Sequence, residues 1–335
     1  MQKKILLPFE DHPYLQMYHN NAFPMGIVQG NADADIVPWL CMRNINCWFD
    51  AKAKNKFSIS VEDAWPTADR ILVRQSISLY PELFKKVFPN TIALFQKMLD
   101  KGCYPHGEYN EEYIPGKEAY QKSYFAHDFL LIGYDDDDRH FVSVGYLSDG
   151  KFQRFTIPYE NMEQAVQTLK NSKVAYSFWS YNADAIFVCK IERILSDLQD
   201  YLHSTASFQK APKNKVWGIS AIETLVDYFF ETAQTYSQVD FRYTRGLMEH
   251  KFFMYIRTEY FYQQGFLKDE ILVEQAKQNY QLAEKVHLLA LKYNMTQKET
   301  ILVRIREIIQ EILETERSYL PKVLSCLQIC RGVEK

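Results

Sequence analysis

Apolar residues recur at three- and four-residue spacing after Pro81, through ELFKKVF and, past Asn90, TIALFQKMLDKG; the pattern predicts a helical hairpin or kinked helix that stops at Gly102. Beyond it the period shortens toward two. Strands are expected over residues 103–113, 128–132, 140–147, 151–157 and 183–190, with an acidic turn at 135–138 and a Ser148-Asp149-Gly150 hairpin turn, together an antiparallel sheet. A helix over 160–169 follows the fourth strand. Beyond Ala211 the helical period takes over: 219–235, 244–264, 268–293 and 296–318 each carry a helix-length apolar stripe, with Gly265 and Asn294 between the last three. The polar stretch 203–215 reads as a linker. The expectation is therefore an α+β protein with one domain over 1–202 and a helical domain over 203–335.

Composition narrows the partners. The net charge is −3 and no block of lysine or arginine exceeds a few residues, so the electrostatic footprint of a nucleic-acid binder is missing. No apolar run approaches the ~18 residues of a membrane span, and MQKKILLPFEDHPY is too short in apolar residues for a secretion signal. A cytoplasmic location is expected. There, the six scattered cysteines would be reduced, and without a C-x-x-C pair they support neither a zinc nor a disulfide reading.

The stretch YFAHDFLLIGYDDDDRHFVSVGYLSDG, 124–150, places His127 at the mouth of an apolar strand. An imidazole there titrates near neutral pH and suits the base of a cysteine nucleophile. Asp135 to Asp138 lack the glycine and spacing of a calcium loop and read as a solvated turn. His12, His19 and His106 share no ligand spacing within one element, so no metal site is expected. Glu249 should meet Arg245 one helical turn back while Lys251 faces elsewhere, a charge pair with Asp240 or Arg242 being the simplest role for this group.

Read in order, LPFEDHPYLQMYHNNAFPMGIVQG, VPWLCMRNINCWFD, NEEYIPGKEAYQKSYFAHDFLLIGYDDDDRHF and DFRYTRGLMEHKFFMYIR resemble the papain-like cysteine acyltransferases and amide synthases of nonribosomal and thiotemplated peptide clusters, of the butirosin acyltransferase N-terminal domain and closthioamide amide synthase type. The resemblance implies a papain-like first domain and transfer of an acyl or peptidyl thioester from a carrier protein to an amine acceptor. It implies no cofactor of the protein's own, because the substrate rides on the carrier's phosphopantetheine. It places the nucleophile at the start of the opening helix, at Ala22, with His127 as base and Asn20, Asn21 and Phe23 at the oxyanion and substrate side. No cysteine stands there. Three accounts stay open: alanine put in place of a cysteine, a binding protein without turnover, or use of Cys41 or Cys47. A peptidase or thioesterase using water is the rival within enzymes. The group that orients His127 should lie where Ser143, Val144 and Gly145 fall; Ser143 is a candidate, and Asp149 another, although turn chemistry explains the latter.

Overall fold

A computed structural model describes residues 3–53, 56–59, 69–207 and 214–333. In chain order its elements are β1 (Lys4–Leu6), α1 (His19–Asn31), α2 (Val37–Leu40), β2 (Trp48–Phe49), β3 (Phe57–Ser58), β4 (Leu72–Leu79), α3 (Pro81–Val87), α4 (Thr91–Asp100), β5 (Cys103–Asn110), β6 (Ala126–Asp135), β7 (His140–Tyr146), β8 (Phe152–Pro158), α5 (Tyr159–Gln167), β9 (Val174–Tyr181), α6 (Ile191–His203), β10 (Val216–Trp217), α7 (Gly218–Tyr236), α8 (Phe241–Gln263), α9 (Ile271–Thr296) and α10 (Glu299–Val333). They form two compact units, Met1–Asp33 with Ala64–Ile186, and Ala34–Asp63 with Phe187–Lys335. The fold is α+β, with antiparallel sheets and a helical C-terminal region.

The first unit is built on a sheet in the order β4-β9-β5-β6-β7-β8, with β1 pairing the far end of β6. Its centre is β6, whose Phe129, Leu130, Leu131 and Ile132 have no exposed surface while its first three residues are half-buried. An all-apolar run with both faces covered needs no alternation, and the strand's polar residues are displaced to its mouth. β5 ends at Asn110, earlier than expected, because the buried Asn110 carboxamide accepts the Glu112 and Phe125 amides and turns the chain into a short 3-10 turn, Glu111–Tyr113. That turn delivers Glu111 to the mouth of β6. Helix α1 lies close enough to the chain at Phe9 that a Cβ on Gly30 would come within 2.6 Å of the Phe9 Cα; glycine is required for this approach.

The helical hairpin before Gly102 forms as α3 and α4, the latter capped by the Asn90 side chain on the Ala93 amide. The expected strand over 183–190 is absent. Its apolar residues do not alternate into a core, for Ile186 is 77% exposed, whereas Val174, Tyr176 and Phe178 of β9 are buried at every second position on a strand that pairs with both β4 and β5. β4 itself escapes the sequence reading, because most of its residues are exposed and it has no apolar face to announce it.

In the second unit α7, α8, α9 and the part of α10 up to Ser318 fall close to the expected stripes. α10 runs on past Ser318 to Val333 through Pro321, since Leu320, Val323, Leu324 and Leu327 continue the buried stripe. α6 belongs here too, by way of Ile194, Leu195, Leu198 and Tyr201. The units thus change over at 186/187, not 202/203, and the second also takes 34–63, whose Trp48 and Phe49 pair with β10. Part of the expected linker, 208–213, lies outside the described residues. Among the described residues no helix is long and apolar enough to cross a membrane.

Candidate functional site

His127 and Asp128 are consecutive on β6, and consecutive strand residues point to opposite faces, so a cluster that uses both must close around the strand's mouth. The first residue of α1 closes it. His19 Nδ1 stands 3.2 Å from Asp128 Oδ1, and its ring centroid lies 5.0 Å from that of His127. Phe23, one turn along α1, stacks on His19 at 4.6 Å, and Tyr146 stacks at 5.5 Å. From β5, His106 Nε2 reaches the other oxygen, Asp128 Oδ2, at 2.9 Å; His106 pairs with Leu130, which makes it the diagonal neighbour of Asp128. On the opposite side His127 Nδ1 lies 3.0 Å from Glu111 Oε1. Lys117 Nζ meets the same oxygen at 3.2 Å and donates to the Tyr146 carbonyl at 2.7 Å.

Charge in this cluster is set by competition between burial and pairing. Burial alone would raise the Asp128 carboxyl, yet hydrogen bonds from His106 and His19 outweigh it and hold the group well below the usual carboxylate range. Glu111 behaves alike: burial raises it, while the His127 bond and the Lys117 charge bring it below its ordinary value. Burial lowers His19 despite Asp128, and lowers Lys117 despite Glu111. An ionised Glu111 only accepts, so the His127 proton sits on Nδ1 and the lone pair on Nε2. That Nε2 faces Asp128 Oδ1 at 3.7 Å, beyond hydrogen-bond distance, on a side chain 42% exposed. A carboxylate-oriented imidazole with an available nitrogen at an open mouth is the arrangement of a general base.

The sequence-derived residues meet different fates. Asn20 is exposed in the first turn of α1, next to His19, and no side chain caps that turn. Ala22 has no exposed surface, and Asn21 is buried with neither amide atom hydrogen-bonded. Phe23 joins the cluster by its contact with His19 and an edge-on contact with His106. Ser143 is turned inward and gives its hydroxyl to the Leu130 carbonyl at 2.8 Å. Asp149 stays in its turn, accepting the Lys151 amide and the Gln153 side chain. Of the positions 143–145 it is Gly145 that borders the cluster: a Cβ there would stand 3.5 Å from both His19 Nε2 and Lys117 Nζ. The orienting carboxylate comes instead from Glu111, which the sequence reading missed along with Lys117, Asp128 and the role of His19. An acidic residue 16 positions and a lysine 10 positions before His127 carry no periodic signal; Asp128, directly after His127, was the one legible hint.

Within the first unit the described residues give this cluster no thiol. Cys41 and Cys47 belong to the second unit and have no exposed surface; burial pushes Cys47 up to about 12, and a bond with Cys189 together with burial raises Cys41 further. Cys103, in the first unit at the start of β5, is raised by burial. Of the group on α8, Glu249 does meet Arg245, at 2.8 Å, but Asp240 and Arg242 pair with each other and Lys251 pairs with Glu316. No model of a known protein family matches this chain, and a search among curated proteins finds no match to it.

Proposed function

We propose that the chain is a papain-like protein of carrier-dependent acyl transfer in which Ala22 occupies the place of the thiol. It takes the acyl or peptidyl thioester borne on the phosphopantetheine arm of a carrier protein and passes the acyl group to an amine without an acyl-enzyme. In that single step the amine nitrogen bonds to the thioester carbon, the carbon–sulfur bond breaks, and His127 Nε2 takes the amine's proton and passes it to the departing sulfur, which leaves as the carrier thiol. The amides of His19 and Asn20, which no side chain caps, face the developing oxyanion. What supports this reading is the His127 Nδ1–Glu111 bond beside the opening turn of α1: it fixes a base where transfer chemistry needs one, and Cys103, the described cysteine of the first unit, stands at the opposite end of β5 from the pairing with His127.

The test supplies a purified acyl carrier thioester to the native protein, with and without an amine, and weighs the small products and the protein itself. Amide that forms only with the amine, with no mass added to the protein and with loss of the reaction in His127→Ala, is the expected result. Free acid as the sole product would make the protein a thioesterase. Carrier binding without any product would leave the non-catalytic reading in its place.

A further inference from the structure

The mouth of β6 gathers donors in a pattern that a base alone does not call for. His19 Nδ1 and His127 Nε2 both face Asp128 Oδ1, at 3.2 and 3.7 Å, and the donor atoms of the three residues all lie within 4.8 Å of one another. Ligand atoms bound tetrahedrally at ~2.0–2.1 Å from one ion stand about 3.3 Å apart, so these separations close on a metal with small side-chain adjustments.

The outer partners match as well. Metal-binding imidazoles are held through their second nitrogen by a carboxylate or carbonyl, and ligating carboxylates are themselves hydrogen-bonded. Here Glu111 holds His127 through Nδ1 at 3.0 Å, and His106 holds the remaining oxygen of Asp128 at 2.9 Å. Lys117, the nearby cation, is engaged by Glu111 and the Tyr146 carbonyl. Coordination through His19 Nδ1 moves that ring's proton to Nε2 and costs the long 3.4 Å contact from the Tyr146 amide. With side-chain exposures of 42% for His127 and 28% for Asp128, an ion has a way in and room for a further ligand.

We propose that His19, His127 and Asp128 form a three-ligand site for a first-row divalent transition ion, with at least one coordination position left for water or an exogenous ligand. Two imidazoles and one carboxylate are neither the all-oxygen set that calcium and magnesium take nor a thiolate set, and they suit zinc, cobalt, nickel or ferrous iron. A bound ion takes the Nε2 lone pair that acyl transfer needs, so metal and transfer chemistry compete at His127.

The experiment is calorimetric and spectroscopic titration of the full-length, chelator-treated protein with Zn2+ and Co2+ alone. One equivalent should bind, with cobalt giving the d–d bands of mixed nitrogen and oxygen ligation. Glu111→Gln should weaken binding by about 10–100-fold, and His127→Ala by more than that, while replacement of the exposed His12 by alanine changes nothing. Because the His127 side chain is partly exposed, His127→Ala should keep the fold, which circular dichroism would verify even if Asp128→Asn does not. Absence of a stoichiometric site, unchanged affinity in His127→Ala, or loss of affinity in His12→Ala overturns the proposal. No carrier or thioester enters the measurement, so its failure leaves the acyl-transfer reading standing.

Discussion

Two groups of ionisable side chains, one in each unit, are assembled from distant parts of the chain and end in opposite conditions. In the second unit Lys251 and Glu316 have no exposed side-chain surface, and the Lys251 ammonium spends its three donors on both Glu316 oxygens and on Tyr201 Oη, each at 2.8 Å. Tyr201 closes the ring by donating to Glu316 at 2.6 Å. Nothing is left over for a substrate. At the mouth of β6 the same kinds of group leave His127 Nε2 beyond bonding distance of Asp128 on a partly exposed ring. A saturated, dry network specifies a fold, and one that keeps a lone pair at an opening is equipped for chemistry.

The comparison breaks most visibly at Lys251. Lys251→Met strands the Glu316 carboxylate in a dry core and should cost about 3–5 kcal/mol, read by urea unfolding. The paired change Lys251→Met with Glu316→Leu should recover most of it. A single-variant loss below ~1 kcal/mol, the range of exposed pairs, would mean the network is wetter than its zero exposure implies.

Acid should act on the sealed region next. His250 is fully buried, with Nε2 on the Ile45 carbonyl at 2.9 Å, its ring 4.9 Å from Tyr201 and the charges of Lys251 and Arg257 nearby; burial first, then those charges, hold it well below 6.5. The folded form therefore stays neutral while the unfolded chain takes up a proton. Stability is complete above about pH 6.5 and falls below it by up to ~1.4 kcal/mol per pH unit. Urea titrations between pH 7 and 5 should lose this slope in His250→Gln, and an equal slope in both proteins would assign it elsewhere.

Smaller effects sharpen the assignment in the first unit. His127→Ala should cost about 1–2 kcal/mol with its bond to the buried Glu111, which keeps Lys117 as a partner, yet remove amide formation in the carrier assay. Ser143→Ala should lose about 1 kcal/mol with its bond to the Leu130 carbonyl and leave amide formation unchanged, since the hydroxyl is spent on that carbonyl and Glu111 holds His127. Were Ser143→Ala to inactivate and His127→Ala to spare activity, neither His127 as base nor Glu111 as its orienting group would stand.

Legibility in the sequence followed the strength of periodicity. The stripes of α7, α8 and α9 were readable because each carries a buried apolar stripe, and the mouth of β6 was readable because the His127-Asp128 pair stands directly before an apolar run, Phe129 to Ile132. β4, lacking a buried face, was silent, and the apolar letters of 183–190 misled because Ala183, Ile186 and Val188 are exposed. The site was half legible. His127 could be singled out, but its partners arrive through contacts that span 16 residues to Glu111 and 109 between His19 and Asp128, which only the pairing of β5 with β6 and the placement of α1 create.

The most direct test of the acyl-transfer account is the intact mass of Asn20→Cys and Ala22→Cys proteins after exposure to an acyl carrier thioester. A thiol in the first turn of α1 should take up one acyl group, faster at the exposed position 20 than at the sealed position 22, and lose that ability when His127→Ala is added. No acylation at either position, or acylation indifferent to His127, would contradict it.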